Sequence, residues 1–231
     1  MPRRKTNPPP EETARACKVL EQAQDSVAGF LTAFDSVRTA RKAKGNPTDE
    51  EQDLLRAALV FSAAGLDSVL KELIKGAIRA LAATDPDVQS ELETFVQRQL
   101  RGESEEPDAI GGRKFLARVL VSSTPQERLI DEYVVELTGS SLQSADQLIR
   151  ASRALGLQPN SVGIDPKELR TIFDVRNKII HELDVNLERT AARRNQNSRR
   201  RPDMESWSTQ LLDIAESLVE GVDEKLRSAS I

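Results

Sequence analysis

Residues 48–84, TDEEQDLLRAALVFSAAGLDSVLKELIKGAIRALAAT, decide the fold class. Thr48 is followed three residues later by Glu51, the spacing of a capping box, in which the hydroxyl accepts a backbone N–H inside the helix and the carboxylate reaches back to the cap. Beyond it Leu55, Leu59, Ser62, Leu66, Leu70, Leu73 and Ala77 recur with the period of an α-helix. The stripe runs without a breaker to about Ala83, where Thr84-Asp85-Pro86 closes it. A single helix of this length organises an all-α protein.

The same reading extends outward. Ala16, Val19/Leu20, Ala23, Val27, Phe30/Leu31, Phe34 and Val37 mark a long first helix from Glu11 to about Lys44, stopped by Gly45-Asn46-Pro47. A third helix is expected over Asp87–Leu100, then an acidic connection from Glu103 to Gly112. Shorter helices follow over Arg113–Val121, over Pro125–Leu137 with Thr124 as cap and proline in the first position, and over Ser141–Leu155. Gly156–Gly163 reads as a turn region. The penultimate helix spans Pro166 to about Leu187 behind Asp165, and the last Met204 to about Arg227. Residues 1–10, with four prolines and three basic side chains, read as a disordered tail. The expectation is one domain over 11–228, a helical bundle with two long N-terminal helices and extra short helices inserted before the penultimate one.

Composition agrees and excludes some functions. Of 231 residues 38% are hydrophobic, enough for one core, and only 3% are aromatic. The net charge of −4 means that binding to a polyanion needs a local basic cluster. One cysteine, Cys17, excludes an internal disulfide, and one histidine excludes a Cys/His zinc set. Met1–Pro10 lacks the apolar stretch of a secretory signal, and the longest apolar run, around Ala57–Leu66, is too short to span a membrane. A cytoplasmic protein that does not engage membranes is expected.

The penultimate helix carries an anomaly. Leu169, Ile172, Phe173, Ile179, Ile180 and Leu183 fall on one face, and Arg176 falls near the centre of it. A guanidinium there is either paired structurally or turned toward a wet cleft or subunit interface. Asn177 and His181, four residues apart, flank this face on one side.

Arg176 followed by a polar residue and then by His181, on a penultimate helix reading Phe173-Asp174-Val175-Arg176-Asn177-Lys178-Ile179-Ile180-His181-Glu182-Leu183-Asp184, resembles the Arg-x4-6-His signature of the HEPN superfamily. The likeness covers about fifteen residues and is supported by the helix order. It implies a HEPN-like bundle and, as in many members, a metal-independent endoribonuclease acting as a toxin or defence effector. No cofactor or metal is expected. The resemblance also implies an isologous homodimer with a composite cleft. In it His181 is the general acid/base, Arg176 binds and stabilises the scissile phosphate, and Asn177 orients the imidazole or the phosphate. In one branch a tyrosine two residues after the histidine is modified by a partner nucleotidyltransferase; here that position is Leu183. RNA and an antitoxin or regulatory protein are the expected partners.

Other features bear on this reading. Asp67 lies off the core stripe of the second helix, either as a partner orienting Arg176 or as a rim aspartate in a local pair. Residues 189–201 hold six arginines and no acid and read as a mobile loop over 188–202, with Arg193, Arg194, Arg199, Arg200 and Arg201 as RNA-backbone contacts. Gly111-Gly112-Arg113-Lys114 reads as a helix start. Two alternatives to the nuclease remain: a non-catalytic HEPN module for nucleotide or RNA binding or regulatory dimerisation, and a helical scaffold in which Arg176 is a buried ion-pair member.

Overall fold

The computed structural model describes residues 9–101, 112–185 and 196–229. Residues 1–8 of the tail expected over 1–10, most of the 103–112 connection and the arginines at 189, 193 and 194 lie outside the described residues. The protein is all-α. A 3-10 turn, Glu11–Thr13, leads into α1 (Ala14–Ala40), followed by α2 (Asp49–Thr84), α3 (Pro86–Arg101), α4 (Gly112–Leu120), α5 (Pro125–Thr138) and α6 (Ala145–Ala154). A short 3-10 turn, Pro159–Val162, precedes α7 (Pro166–Glu182) and α8 (Arg201–Ala229). Among the described residues the β-type pairing is an isolated bridge between Val185 and Gln196.

The long helix begins where the capping box requires. The Thr48 hydroxyl accepts the Glu51 N–H at 3.3 Å, and the Glu51 carboxylate accepts the Thr48 N–H at 2.8 Å. Glu51 is also gripped by Arg38 and Arg41 from the end of α1, which closes the α1–α2 hairpin. That grip accounts for an early stop. α1 ends at Ala40, not near Lys44, because Lys42 adopts a left-handed φ of 49° and the Lys42 and Ala43 N–H groups return to the carbonyls of Thr39 and Arg38.

Helix α2 is the axis of the molecule. Its first turns face the end of α1 and its Gly76 faces Glu12, so α1 and α2 run antiparallel. Gly65 approaches both Ala23 of α1 and Leu212 of α8, while Asp85 just past α2 meets Lys225 of α8, so α8 runs parallel to α2. Leu55, Leu59, Leu66, Leu70, Leu73, Ile74, Ile78 and Leu81 are therefore buried almost completely. At the other end the buried Thr13 hydroxyl donates to Asp223 of α8 at 2.5 Å, fixing the start of α1.

The inserted helices form a satellite on the C-terminal half of α2. Phe95 packs edge-on against Phe115 at 5.9 Å and tilted against Tyr133 at 4.9 Å. Around this aromatic centre Glu136 of α5 receives Arg98 and Gln99 of α3 and Arg150 of α6. Burial pushes the Tyr133 phenol far above its ordinary range. No helix among the described residues is long and apolar enough to cross a membrane.

The close approach of α1 and α2 makes a testable asymmetry between glycines. A methyl on Gly65 would stand 2.5 Å from the Ala23 methyl, whereas one on Gly29 of α1 meets nothing within 4 Å. Gly65→Ala is expected to cost about 1–3 kcal/mol by overpacking. Gly29→Ala is expected to stabilise by as much as about 1 kcal/mol through helix propensity. Urea unfolding of the two variants measures both, and shifts of the same sign would contradict the packing described.

Candidate functional site

Helix α7 starts as a well-capped element. Asp165 accepts the N–H groups of Lys167 at 2.8 Å and Glu168 at 3.3 Å, and Pro166 fills the first position, where no N–H is needed. Leu169, Ile172, Phe173 and Ile179 are buried. Ile180 and Leu183, expected on the same buried face, are instead 39% and 69% exposed. The apolar face is thus sealed as far as Ile179 and opens to solvent at the last turn, where His181 is also exposed.

Arg176 is half-buried between these two regions. Its Nη1 donates to Oδ1 of Asn177 at 2.9 Å, while its Nε–H is shielded from solvent with no acceptor among the described residues. Burial lowers its proton affinity and the nearby charge of Asp67 opposes that shift, though a guanidinium stays cationic at neutral pH. A half-buried cation held, among the described residues, by one neutral amide oxygen is an incomplete arrangement that an anionic group would complete. Asn177 spends its oxygen on Arg176, which identifies one partner for it; the ring of His181, one turn further on, makes no hydrogen bond to a described residue.

Asp67 takes the second of the two roles offered for it, the local pair, and makes no contact with Arg176 among the described residues. It forms the local pair, with Lys71 Nζ at 3.1 Å from Oδ2, and its Oδ1 accepts the Leu142 N–H at 2.7 Å. Its influence on Arg176 is through its charge, without a direct ion pair.

The end of α7 departs from the sequence expectation. The helix stops at Glu182 and not near Leu187, because Leu183 and Asp184 take left-handed φ values of 50° and 55° and their N–H groups return to the Lys178 carbonyl. Non-glycine residues adopt this region only against a steric cost, so something must hold them there. Asp184 supplies the hold. It is fully buried, and its carboxylate receives Arg56 of α2 at 3.1 Å, Asn197 at 3.1 Å, and Arg199 through Nε at 2.8 Å and Nη2 at 2.5 Å. Arg56 adds Asp53 and the Asn197 carbonyl, and Gln52 accepts the Arg199 N–H. Neither Asp184 nor Arg56 was singled out by the sequence. They lie 128 positions apart, and the one sequence hint is an acid standing just past the motif and before an arginine-rich run.

This cluster revises the list of RNA-contacting arginines. Arg199 is committed to Asp184, and Arg201, in the first turn of α8, is held by Asp35 at 2.7 and 2.8 Å and Glu205 at 2.5 Å. The loop expected through residue 202 ends earlier, since α8 begins at Arg201, and an isolated bridge pairs Gln196 with Val185. Arg200 is 79% exposed, with Asp203 at 4.0 Å. Arg193 and Arg194 lie outside the described residues.

In comparisons with models of protein families, with curated proteins and with solved structures, none matches this chain.

The Asp184 cluster predicts an acid-sensitive stability. Burial pushes the carboxyl upward, but the hydrogen bonds from Arg199, Asn197 and Arg56 outweigh it and hold the group below the ordinary carboxylate range. A carboxyl with a lower pKa in the folded state contributes its full stabilisation above the unfolded value, about 3.9, and loses it as pH falls through the folded value. Asp184→Asn is expected to cost about 3–5 kcal/mol near neutrality, where it leaves buried cations unpaired. In urea titrations the gap to the native protein should begin to narrow below about pH 4, where the carboxyl of the unfolded chain takes up its proton while the native Asp184 stays ionised, and should close as pH falls through the folded value. A gap independent of pH would show that the charge of Asp184 contributes nothing net.

Proposed function

We propose that this protein is a metal-independent endoribonuclease of HEPN type, a toxin or defence effector that cleaves RNA by attack of the 2′-hydroxyl on the adjacent phosphorus. The observation that carries the reading is the presence on one helix of a half-buried Arg176, its shielded Nε–H without an acceptor among the described residues, and a solvent-exposed His181. Transesterification needs a proton acceptor for the 2′-hydroxyl, a proton donor for the departing 5′-oxygen and a cation for the charge on the phosphorane. An imidazole and a guanidinium are suited to these tasks at neutral pH. Asn177 holds the guanidinium in place.

One chain offers one histidine, so separate acid and base histidines call for a second copy. The proposed isologous homodimer has support from Ile180 and Leu183, two apolar side chains exposed beside His181 on the motif helix. Within this reading Arg200 contacts the RNA backbone, as do Arg193 and Arg194, and an antitoxin or regulatory protein restrains the activity. A second reading, RNA binding without cleavage, is favoured by one observation: among the described residues none hydrogen-bonds the ring of His181 and so orients it.

The test is incubation of mixed RNA in EDTA with the native protein and with His181→Ala. Cleavage by the native protein is expected to leave 2′,3′-cyclic phosphate and 5′-hydroxyl ends, and the variant to be slower by about 10²–10⁴-fold. RNA binding without native cleavage would establish the second reading. Arg199 and Arg200 give a further contrast. Arg199→Ala should lower the melting temperature, whereas Arg200→Ala should leave it unchanged and weaken RNA binding. The reverse pattern, read by thermal denaturation and fluorescence anisotropy, would contradict the roles assigned.

A further inference from the structure

The last turn of α7 has almost no packing of its own. Ile179 is the last buried apolar side chain of the helix, and within residues 180–185 only Asp184 is buried. A helix end exposed in this way ordinarily frays. Here backbone and side chain both hold it. The Leu183 and Asp184 N–H groups return to the Lys178 carbonyl, closing a loop of backbone that contains His181. The Leu183 carbonyl accepts Gln196 Nε2 at 3.3 Å, and the Asp184 carbonyl accepts the Asn197 N–H at 2.8 Å. The Asp184 carboxylate takes Arg56 from α2 and the two-donor fork of Arg199 from the segment before α8. A glycine would adopt the left-handed turn freely. This chain instead strains two residues with side chains and buries a carboxylate to hold them, three positions beyond the candidate imidazole.

We propose that Asp184, gripped by Arg56 and Arg199, is the positioning residue of His181. It acts through the backbone. By pinning the turn after the histidine to α2 and to the approach of α8, it fixes where the imidazole stands relative to Arg176. The latch sets the place of the ring and leaves its rotation free. The inference rests on reading His181 as the acid/base group, and it adds to that site three residues outside the Arg176–His181 segment.

The chain holds one histidine, so the untagged protein gives one imidazole Hε1 resonance by NMR, a reporter that needs no RNA. Arg199→Gln is expected to shift and broaden that resonance. It should also speed amide exchange of Leu183 and Asp184 by about ten-fold or more, as loss of a charge-assisted hydrogen bond implies. The amides of Ile172 and Phe173, in the sealed half of α7, should keep their native rates. Leu183→Gly in the Arg199→Gln background should return resonance and exchange toward native values, because glycine takes the turn freely and the Leu183 side chain is 69% exposed. A general loss of stability would not be rescued in this way. If Arg199→Gln does not fold, Arg199→Lys retains the charge and removes the fork, and the same local changes are expected. An unmoved resonance with native local exchange, or an acceleration spread evenly over α7 and α8, overturns the proposal. With RNA, Arg199→Gln should lower kcat and leave KM unchanged. Native cleavage insensitive to Arg199→Gln overturns the positioning role and leaves the nuclease standing. A latch-dependent resonance in a protein that never cleaves RNA upholds the positioning and counts against the nuclease.

Discussion

The burial of α2 on three sides is the constraint from which the rest of this structure follows. A helix of 36 residues packed against α1, α7 and α8 can stay apolar over most of its circumference, and its Leu-rich stripe is covered almost completely. Close approach demands small residues where backbones come together, hence Gly65 against Ala23 and Gly76 against Glu12. The polar groups on α2 are placed where they connect elements: Glu51 to the end of α1, Arg56 to the end of α7, and Asp67 to the segment before α6. The candidate site is thus framed by one helix whose own position is over-determined.

The second organising element is Asp184. Two successive left-handed residues turn the chain out of α7, and the strained conformation persists because the carboxylate it buries meets two guanidinium groups and an amide. The same turn leaves His181 and Leu183 in the exposed last turn of the motif helix. Apolar packing fixes α7 through Ile179, and an ionic cluster fixes what comes after it.

Much of the fold was legible from local patterns. The Thr48 capping box, the Pro166 start behind Asp165 and the periodic stripes of α1 and α2 are each written within a few turns of sequence. The ends of α1 and α7 were not, because Lys42, Leu183 and Asp184 adopt a conformation for which glycine is the usual marker. In the candidate site the anomalous Arg176 and its neighbour Asn177 could be named from helical geometry, and they are found in contact. The roles of Arg56, Asp184 and Arg199 could not be read in this way. Their pairing spans 128 positions in one case and 15 in the other, and composition alone makes Arg199 look like any member of a solvated basic run. Ile180 and Leu183 misled for the opposite reason: periodicity identifies an apolar face but does not say how far along a helix its neighbours extend.

The central position of α2 also bears on the order in which the molecule can assemble. The α1–α2 hairpin is local in sequence and needs little loop closure, whereas the faces of α2 that meet α7 and α8 await segments more than a hundred residues downstream. During synthesis the hairpin emerges first and carries an uncovered apolar stripe until the last third of the chain has been made. Gln52 and Arg56 cannot be satisfied by Asn197 and Arg199 before then. Until then the apolar stripe of α2 is surface that only the last third of the chain can cover, however short the α1–α2 connection is.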